Sequence, residues 1–271
     1  MRIEILGIIS VTVNGNRQQI PAYKVRSMLA TLALDAGRPV SHADLADELW
    51  SSEVPGNSRN ALQAHASRLR KVLDGPAPRS GVTVLHSLHN GYLLDVPPES
   101  VDANRFLDLA ARGSAALADH PQRALELLSA ALGLWRGPAL LDAGDGLRCL
   151  AAAALFEERG QAVWEDLITA RLALGDERQA IAELRPLLAR HPLSERFCEQ
   201  LMLALYRCGR QSEALELFHQ TRRKLDAELG VQPGAELQRR YADILAQDPV
   251  LVLPSSGYPG RPGHRVPAAS R

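Results

Sequence analysis

Within residues 58–73, Ser-Arg-Asn-Ala-Leu-Gln-Ala-His-Ala-Ser-Arg-Leu-Arg-Lys-Val-Leu, side chains able to read a base-pair edge recur at helical spacing. Asn60, Gln63, Ala64, Ser67, Arg68 and Lys71 share one face, with Arg59 and Arg70 on its flanks. Asn, Gln and Arg are the side chains that make paired hydrogen bonds to purine edges in a major groove. Ala64 and Ser67 are small enough to let a helix backbone come close to a surface. Four basic side chains and no acidic one occur in these sixteen residues, although the 31 basic and 31 acidic residues of the chain cancel. The opposite stripe, Leu62, Ala66, Leu69 and Leu73, is apolar and faces a core. Alone, such a stretch suits a solvated basic surface helix equally well, so its neighbours decide.

A helix that reads DNA needs elements to hold it, and the flanking sequence supplies them. Arg2–Leu6 and Ile9–Val13 alternate as short strands around Gly7, and Asn14-Gly15 turns the chain. The spacing of Val25, Met28, Leu29, Leu32 and Ala33 predicts a helix over 24–36, ended by Gly37. Lys24 and Arg26 fall in its first turn, where the helix dipole disfavours cations; a bound phosphate would account for them, as would solvation. Ser41 and Asp44 form a capping-box-like start for a helix over 42–50 that buries Leu45, Leu49 and Trp50. The seven-residue connection to the basic helix exceeds the usual helix-turn-helix turn of about 3–4 residues. Beyond the loop Gly75-Pro76-Ala77-Pro78, the strands Val82–His86 and Tyr92–Val96 flank Asn90-Gly91, a pair that suits a type I′ turn. A hairpin directly after a basic helix is the wing of a winged helix, and its tip, His89 and Asn90, is placed for a minor groove. The alternative is a hairpin that only packs the core.

Pro97-Pro98 marks a boundary, after which only helical patterning occurs, over 102–118, 121–135, 147–174, 177–190, 193–208, 211–229 and 233–246. Gly175 and Gly209, Ala180 and Ala214, Leu184 and Phe218, and Leu167 and Leu201 are each 34 residues apart, the period of tetratricopeptide helix pairs. The expected architecture is therefore mainly α. Residues 1–97 form a winged helix-turn-helix DNA-binding domain of α+β class. Residues 98–248 form an all-helical, tetratricopeptide-like domain, and 249–271, rich in Pro, Gly and Ser, form a disordered tail.

Composition narrows the function classes. With 46% hydrophobic and 4% aromatic residues the cores are aliphatic, and a neutral balance leaves nucleic-acid attraction to a local patch. No apolar run reaches the ~20 residues of a membrane span, no signal-peptide pattern opens the chain, and the three scattered cysteines fit a reducing cytoplasm. No phosphate-binding glycine loop, HExxH pair, zinc spacing or GxSxG elbow occurs, so neither an enzyme nor a cofactor or metal is expected. Three readings remain: an activator, a repressor with the same DNA-binding domain, and a protein-interaction scaffold built on the helical repeat.

The chain resembles the Streptomyces antibiotic regulatory proteins, actinobacterial activators of secondary-metabolite gene clusters. The resemblance rests on Ile3–Gly7, Leu45-Ala46-Asp47-Glu48-Leu49-Trp50, Leu62–Arg70 and Gly91-Tyr92-Leu93-Leu94, which match an OmpR-type winged helix. It continues through Trp135–Leu140, His191-Pro192-Leu193-Ser194-Glu195, Leu201–Glu213, Glu228-Leu229-Gly230 and Pro233-Gly234, which match a bacterial transcriptional activation domain, covering about 1–247. The resemblance implies binding to direct repeats of promoter DNA near −35 as a head-to-tail dimer, and recruitment of RNA polymerase through its sigma factor. It also implies that the basic helix reads bases while the wing, Lys24 and Arg26 hold phosphates. The loop from Ser51, Ser52, Glu53 and Val54 to Asn57 would face polymerase.

Overall fold

The computed structural model describes residues 1–20, 22–50, 55–74 and 83–252. The Ser51–Val54 stretch, the expected loop at Gly75–Pro78, the first residue of the expected strand, Val82, and residues 253–271 therefore lie outside the described residues. Two compact units result, Met1–Leu174 and the chain from Gly175 onward. Residues 98–174, expected in the helical domain, pack within the first of these units.

The first unit opens with a three-stranded antiparallel sheet, β1 (Arg2–Glu4), β2 (Ser10–Val13) and β3 (Asn16–Gln18), in that order. Asn14 and Gly15 both adopt positive φ, 52° and 82°, as the tight hairpin between β2 and β3 requires. β1 ends at Glu4, two residues earlier than alternation predicts, because Ile5 and Leu6 pair elsewhere. Their amides donate to the two oxygens of Asp102 at 2.8 and 3.1 Å, and their carbonyls accept from Leu140 and Arg136 amides at 2.8 and 2.9 Å. The Trp135–Leu140 run is thus laid along the N-terminal sheet.

Helices α1 (Tyr23–Leu34), α2 (His42–Trp50) and α3 (Ser58–Asp74) pack on one another. The capping box is present: the Asp44 amide donates to Ser41 Oγ at 3.0 Å, and Ser41 Oγ donates to the Asp44 carboxylate at 2.7 Å. α3 buries Leu62, Ala66, Leu69 and Leu73, the four positions of the apolar stripe. Trp50 is only half-buried, contrary to the expected burial; its ring lies 6.0 Å from that of His65.

A second sheet runs β4-β6-β5, from β4 (Pro39–Ser41), β5 (Leu85–Leu88) and β6 (Gly91–Leu94). The hairpin closes through His89 and Asn90, one residue before the expected pair, and neither turn residue has positive φ, so the turn is not type I′. Gly91 serves a different need: a Cβ there would lie 2.1 Å from the Val40 carbonyl oxygen, where β4 pairs with β6.

α4 (Asp102–Ala116), α5 (Pro121–Leu132) and α6 (Leu147–Ala173) complete this unit, with α6 against α1 and α2. Buried or half-buried carboxylates, among them Asp102, Asp142 and Glu48, join these helices and their connections to the winged helix. Asp102 receives the Ile5 and Leu6 amides and Arg136. Asp142 receives the Ile9 amide at 2.8 Å, and Glu48, 6% exposed, receives the Arg148 and Cys149 amides at the start of α6. Burial pushes the Asp102 carboxyl up, against the pull of those two amides and of the Arg136 charge.

The second unit holds α7 (Glu177–Arg190), α8 (Glu195–Arg207), α9 (Gln211–Leu229) and α10 (Ala235–Ala246), α8 packing on the other three. Gly175 and Gly209 turn with φ of 76° and 75°, while Ala180 and Ala214 are fully buried, as the 34-residue repeat requires. The disordered tail was expected from 249, but Pro249–Leu251 forms a 3₁₀ turn. Asp248 caps it through the Val250 amide, Leu251 is buried, and Arg207 Nε donates to the Leu251 carbonyl at 2.7 Å. Burial pushes the Cys149 and Cys198 thiols up to about 12 and about 11, which keeps both in the unreactive thiol form.

Candidate nucleic-acid interface

The core contacts of α3 determine which of its residues meet solvent. At about 100° per residue, the buried stripe fixes the opposite face, and Asn60, Gln63, Ala64, Ser67, Arg68 and Lys71 are all exposed. Arg59 is exposed as well. Every residue expected to read DNA from the basic helix therefore lies on solvent-facing surface, with no carboxylate among them. Asn, Gln and Arg there offer paired donors and acceptors, and Lys71 in the last turn also complements the negative end of the helix dipole.

The wing stands beside that face. Its tip residues His89 and Asn90 are both exposed. The tip is tied at its base: the His42 amide, opening α2, donates to the Asn90 carbonyl at 2.9 Å, and Arg59 Nη2 donates to the His89 carbonyl at 3.0 Å. Tyr92 of β6 is buried and meets the His42 ring edge-on at 5.3 Å. Burial pushes the Tyr92 phenol up, against the pull of the Arg70 and Arg59 charges.

Lys24 and Arg26 are placed differently from the expectation. The Lys24 ammonium donates to the Leu49 carbonyl at the C-terminal end of α2 and sits 5.8 Å from the Trp50 ring centre. Arg26 pairs with Asp142 at 2.9 Å and donates to the Ile20 carbonyl at 2.8 Å. Both cations have acceptors inside the protein, which answers the dipole argument without a phosphate. The dipole pattern flagged an unusual charge but could not distinguish a bound anion from a carboxylate over a hundred residues away.

Sequence reasoning passed over two contributors. His42 lies at the wing base as the first residue of α2; burial, then Arg59 and His89, hold its pKa below the ordinary histidine value. Arg70, seen only as a flank of the basic face, points its guanidinium at β5, with Nε donating to the Leu85 carbonyl at 2.9 Å. The signal was its position beside Leu69 and Leu73, at the margin of the buried stripe.

A three-helix core with an exposed basic helix, a hairpin wing and a following helical array defines a transcriptional regulator of winged-helix type. A family model described as bacterial transcriptional activator domain matches residues 101–245, and one described as transcriptional regulatory protein, C terminal, matches 22–94. The chain belongs to the Streptomyces antibiotic regulatory proteins. It is 56% identical to the transcriptional regulator RedD of Streptomyces coelicolor, over 94% of this chain and 73% of RedD. It is 37% identical to the regulatory protein DnrI of Streptomyces peucetius, over 100% of this chain and 98% of DnrI. The structure of Mycobacterium tuberculosis EmbR in complex with a low affinity phosphopeptide is similar with a TM-score of 0.86 and 32% identity. That likeness covers 92% of this chain and 65% of the EmbR chain. Among the described residues no helix is long and apolar enough to cross a membrane.

Proposed function

We propose that the chain is a cytoplasmic, sequence-specific DNA-binding activator of a secondary-metabolite gene cluster. Residues 1–97 bind DNA, and 98–248 act as the activation domain. The observation that carries this reading is the uninterrupted exposed face of α3, from Asn60 to Lys71, which holds base-reading side chains and no acid beside an exposed wing tip. Asn60, Gln63 and Arg68 read base edges in the major groove, Ala64 and Ser67 allow close approach, and Lys71 with the tip residues His89 and Asn90 meets the backbone. Lys24 and Arg26, already engaged within the protein, are not assigned to phosphate. On the family's pattern, protomers lie head to tail on direct repeats near −35 and recruit RNA polymerase through its sigma factor, with the loop at Ser51–Val54 facing polymerase.

The test is footprinting of the whole chain on a candidate cluster promoter, alongside transcription in vitro with purified polymerase. Protection of direct repeats near −35 with more transcript supports the reading. Protection with less transcript makes the protein a repressor, and no protection at low salt removes DNA binding altogether. Affinity should fall steeply with salt, because each neutralised phosphate releases counterions.

A further inference from the structure

Among the described residues, strand β5 pairs in the order β4-β6-β5 with β6 alone, and no strand lies on its other edge. The Asp95 amide donates to the Val84 carbonyl at 2.8 Å, so Val84 and Asp95 form a hydrogen-bonded pair. In an antiparallel ladder such pairs alternate with pairs whose backbone groups point outward. Leu85, opposite Leu94, is therefore of the outward kind, and its carbonyl faces the open edge. Arg70 fills that place: Nε donates to the Leu85 carbonyl at 2.9 Å and Nη2 donates to Ser87 Oγ at 2.7 Å. Eleven residues earlier on the same helix, Arg59 donates to the His89 carbonyl. Eleven residues are just over three whole turns, so the two arginines stand within about 20° of one another around α3 and roughly 16 Å apart along it. That azimuth borders the exposed basic face, so one side of α3 grips the wing while the next faces solvent.

We infer that Arg70 and Arg59 are wing-positioning residues, which fix the hairpin to α3 so that the wing tip and the reading face reach one duplex together. The inference rests on the DNA-binding reading for its purpose, but its geometry is internal to the protein. A wing already held in place loses little freedom on binding. The Arg70 fork makes two directed hydrogen bonds, which a lysine ammonium at the same position does not reproduce. These guanidinium groups act on DNA through the wing and not as phosphate contacts.

The experiment compares the whole chain with Arg70→Ala, Arg70→Lys, Ser87→Ala, Asn90→Ala and the Arg70→Ala/Asn90→Ala pair. In the free protein, Arg70→Ala should speed amide hydrogen exchange along Leu85–Leu94 and leave the α3 core protected, with Ser87→Ala a weaker copy of the same pattern. On operator DNA, Arg70→Ala should weaken binding about tenfold. Asn90→Ala should add little in that background, since a loosened wing has already lost its tip contact. Arg70→Lys should fail to restore affinity despite keeping the charge. The inference is overturned if wing exchange is unchanged, or if Lys restores binding and the Asn90 loss is additive. A slope of log affinity against log salt reduced by about one would mark Arg70 as a plain phosphate contact instead. If the wild-type chain protects no duplex at all, the DNA-binding reading falls. The exchange measurement then decides alone, faster wing exchange sustaining the positioning role and unchanged exchange ending it.

Discussion

Glu48, in the first helix of the helix-turn-helix, accepts the Cys149 amide at 2.8 Å through Oε1, while its Oε2 accepts the Arg148 amide at 2.9 Å. One carboxylate thus caps the N-terminus of α6, whose first amides have no partner within the helix. Gly146 makes room for it, since a Cβ there would lie 2.1 Å from the Glu48 carboxylate. Glu48→Ala should cost about 2 kcal/mol of stability, the loss of a cap that leaves the buried Cys149 amide and the part-buried Arg148 amide without their acceptor. Glu48→Gln, which keeps an acceptor but loses the charge favoured at a helix N-terminus, should cost less. Chemical denaturation of the two variants checks the order.

The same logic makes residues 1–97 a poor fragment. Cutting there removes Asp102 from the Ile5 and Leu6 amides and Arg136 from the Ile8 carbonyl, and uncovers the faces of α1 and α2 that meet α6. Residues 1–97 alone should show a lower melting temperature and more dye-accessible apolar surface than residues 1–174. Equal melting temperatures would show that the carboxylate links contribute nothing to the winged helix.

The parts of the fold that were legible in the sequence are those set by local periodicity. α7 and α9 match their expected limits of 177–190 and 211–229, and the stripe of α3 is buried residue for residue. β3 and β4 were missed because three-residue strands carry too few alternations to show a period. Trp50 was expected in the core because it is large and apolar, but it sits at the end of α2, where its ring shields Lys24 and His65. The exposed half of the site was legible because it follows from the apolar stripe. The ties of Arg26, Arg70 and Glu48 were not, since each partner lies in an element that only tertiary packing brings near. Asn90-Gly91 carried the right residues for the wrong reason: the glycine is required by β4 and not by the turn.

Gly91→Ala tests that last point. The added Cβ would meet the Val40 carbonyl oxygen at 2.1 Å and its carbon at 2.9 Å, backbone atoms that cannot swing aside. Separation of β4 from β6 should lower stability by about 3 kcal/mol. A residue needed only for positive φ would behave otherwise, and Gly91 does not have it. Asn90→Ala, one residue away and exposed, should leave the melting temperature within about a degree of wild type, so the pair separates packing from turn chemistry.

Arg68 is exposed at the middle of the basic face. As a base-reading side chain, its replacement by Ala should weaken operator binding by about 1–3 kcal/mol and binding to random DNA much less. Equal losses on both would make it a phosphate contact. Competition titrations at fixed salt measure the two affinities together.

His65 flanks the apolar stripe of α3, and burial, then the Arg68 and Lys24 charges, hold its pKa below the ordinary value of 6.5. The fold therefore prefers the neutral ring, while the unfolded chain takes up a proton first as pH falls. Its contribution to stability is complete above pH 6.5 and is lost as pH drops toward and through the lowered folded-state value. His42, lowered by burial, then Arg59 and His89, acts in the same direction. Wild-type stability should therefore decline as pH is taken from 7.5 to 5.5, and His65→Gln should decline less steeply. Removing the Arg68 charge has the opposite local effect: in Arg68→Ala the His65 ring should titrate closer to its ordinary value, which NMR of the ring protons reads directly. A His65 titration unchanged by Arg68→Ala would leave burial and the Lys24 charge as the causes of the shift, and would place the Arg68 guanidinium too far from the ring to act on it.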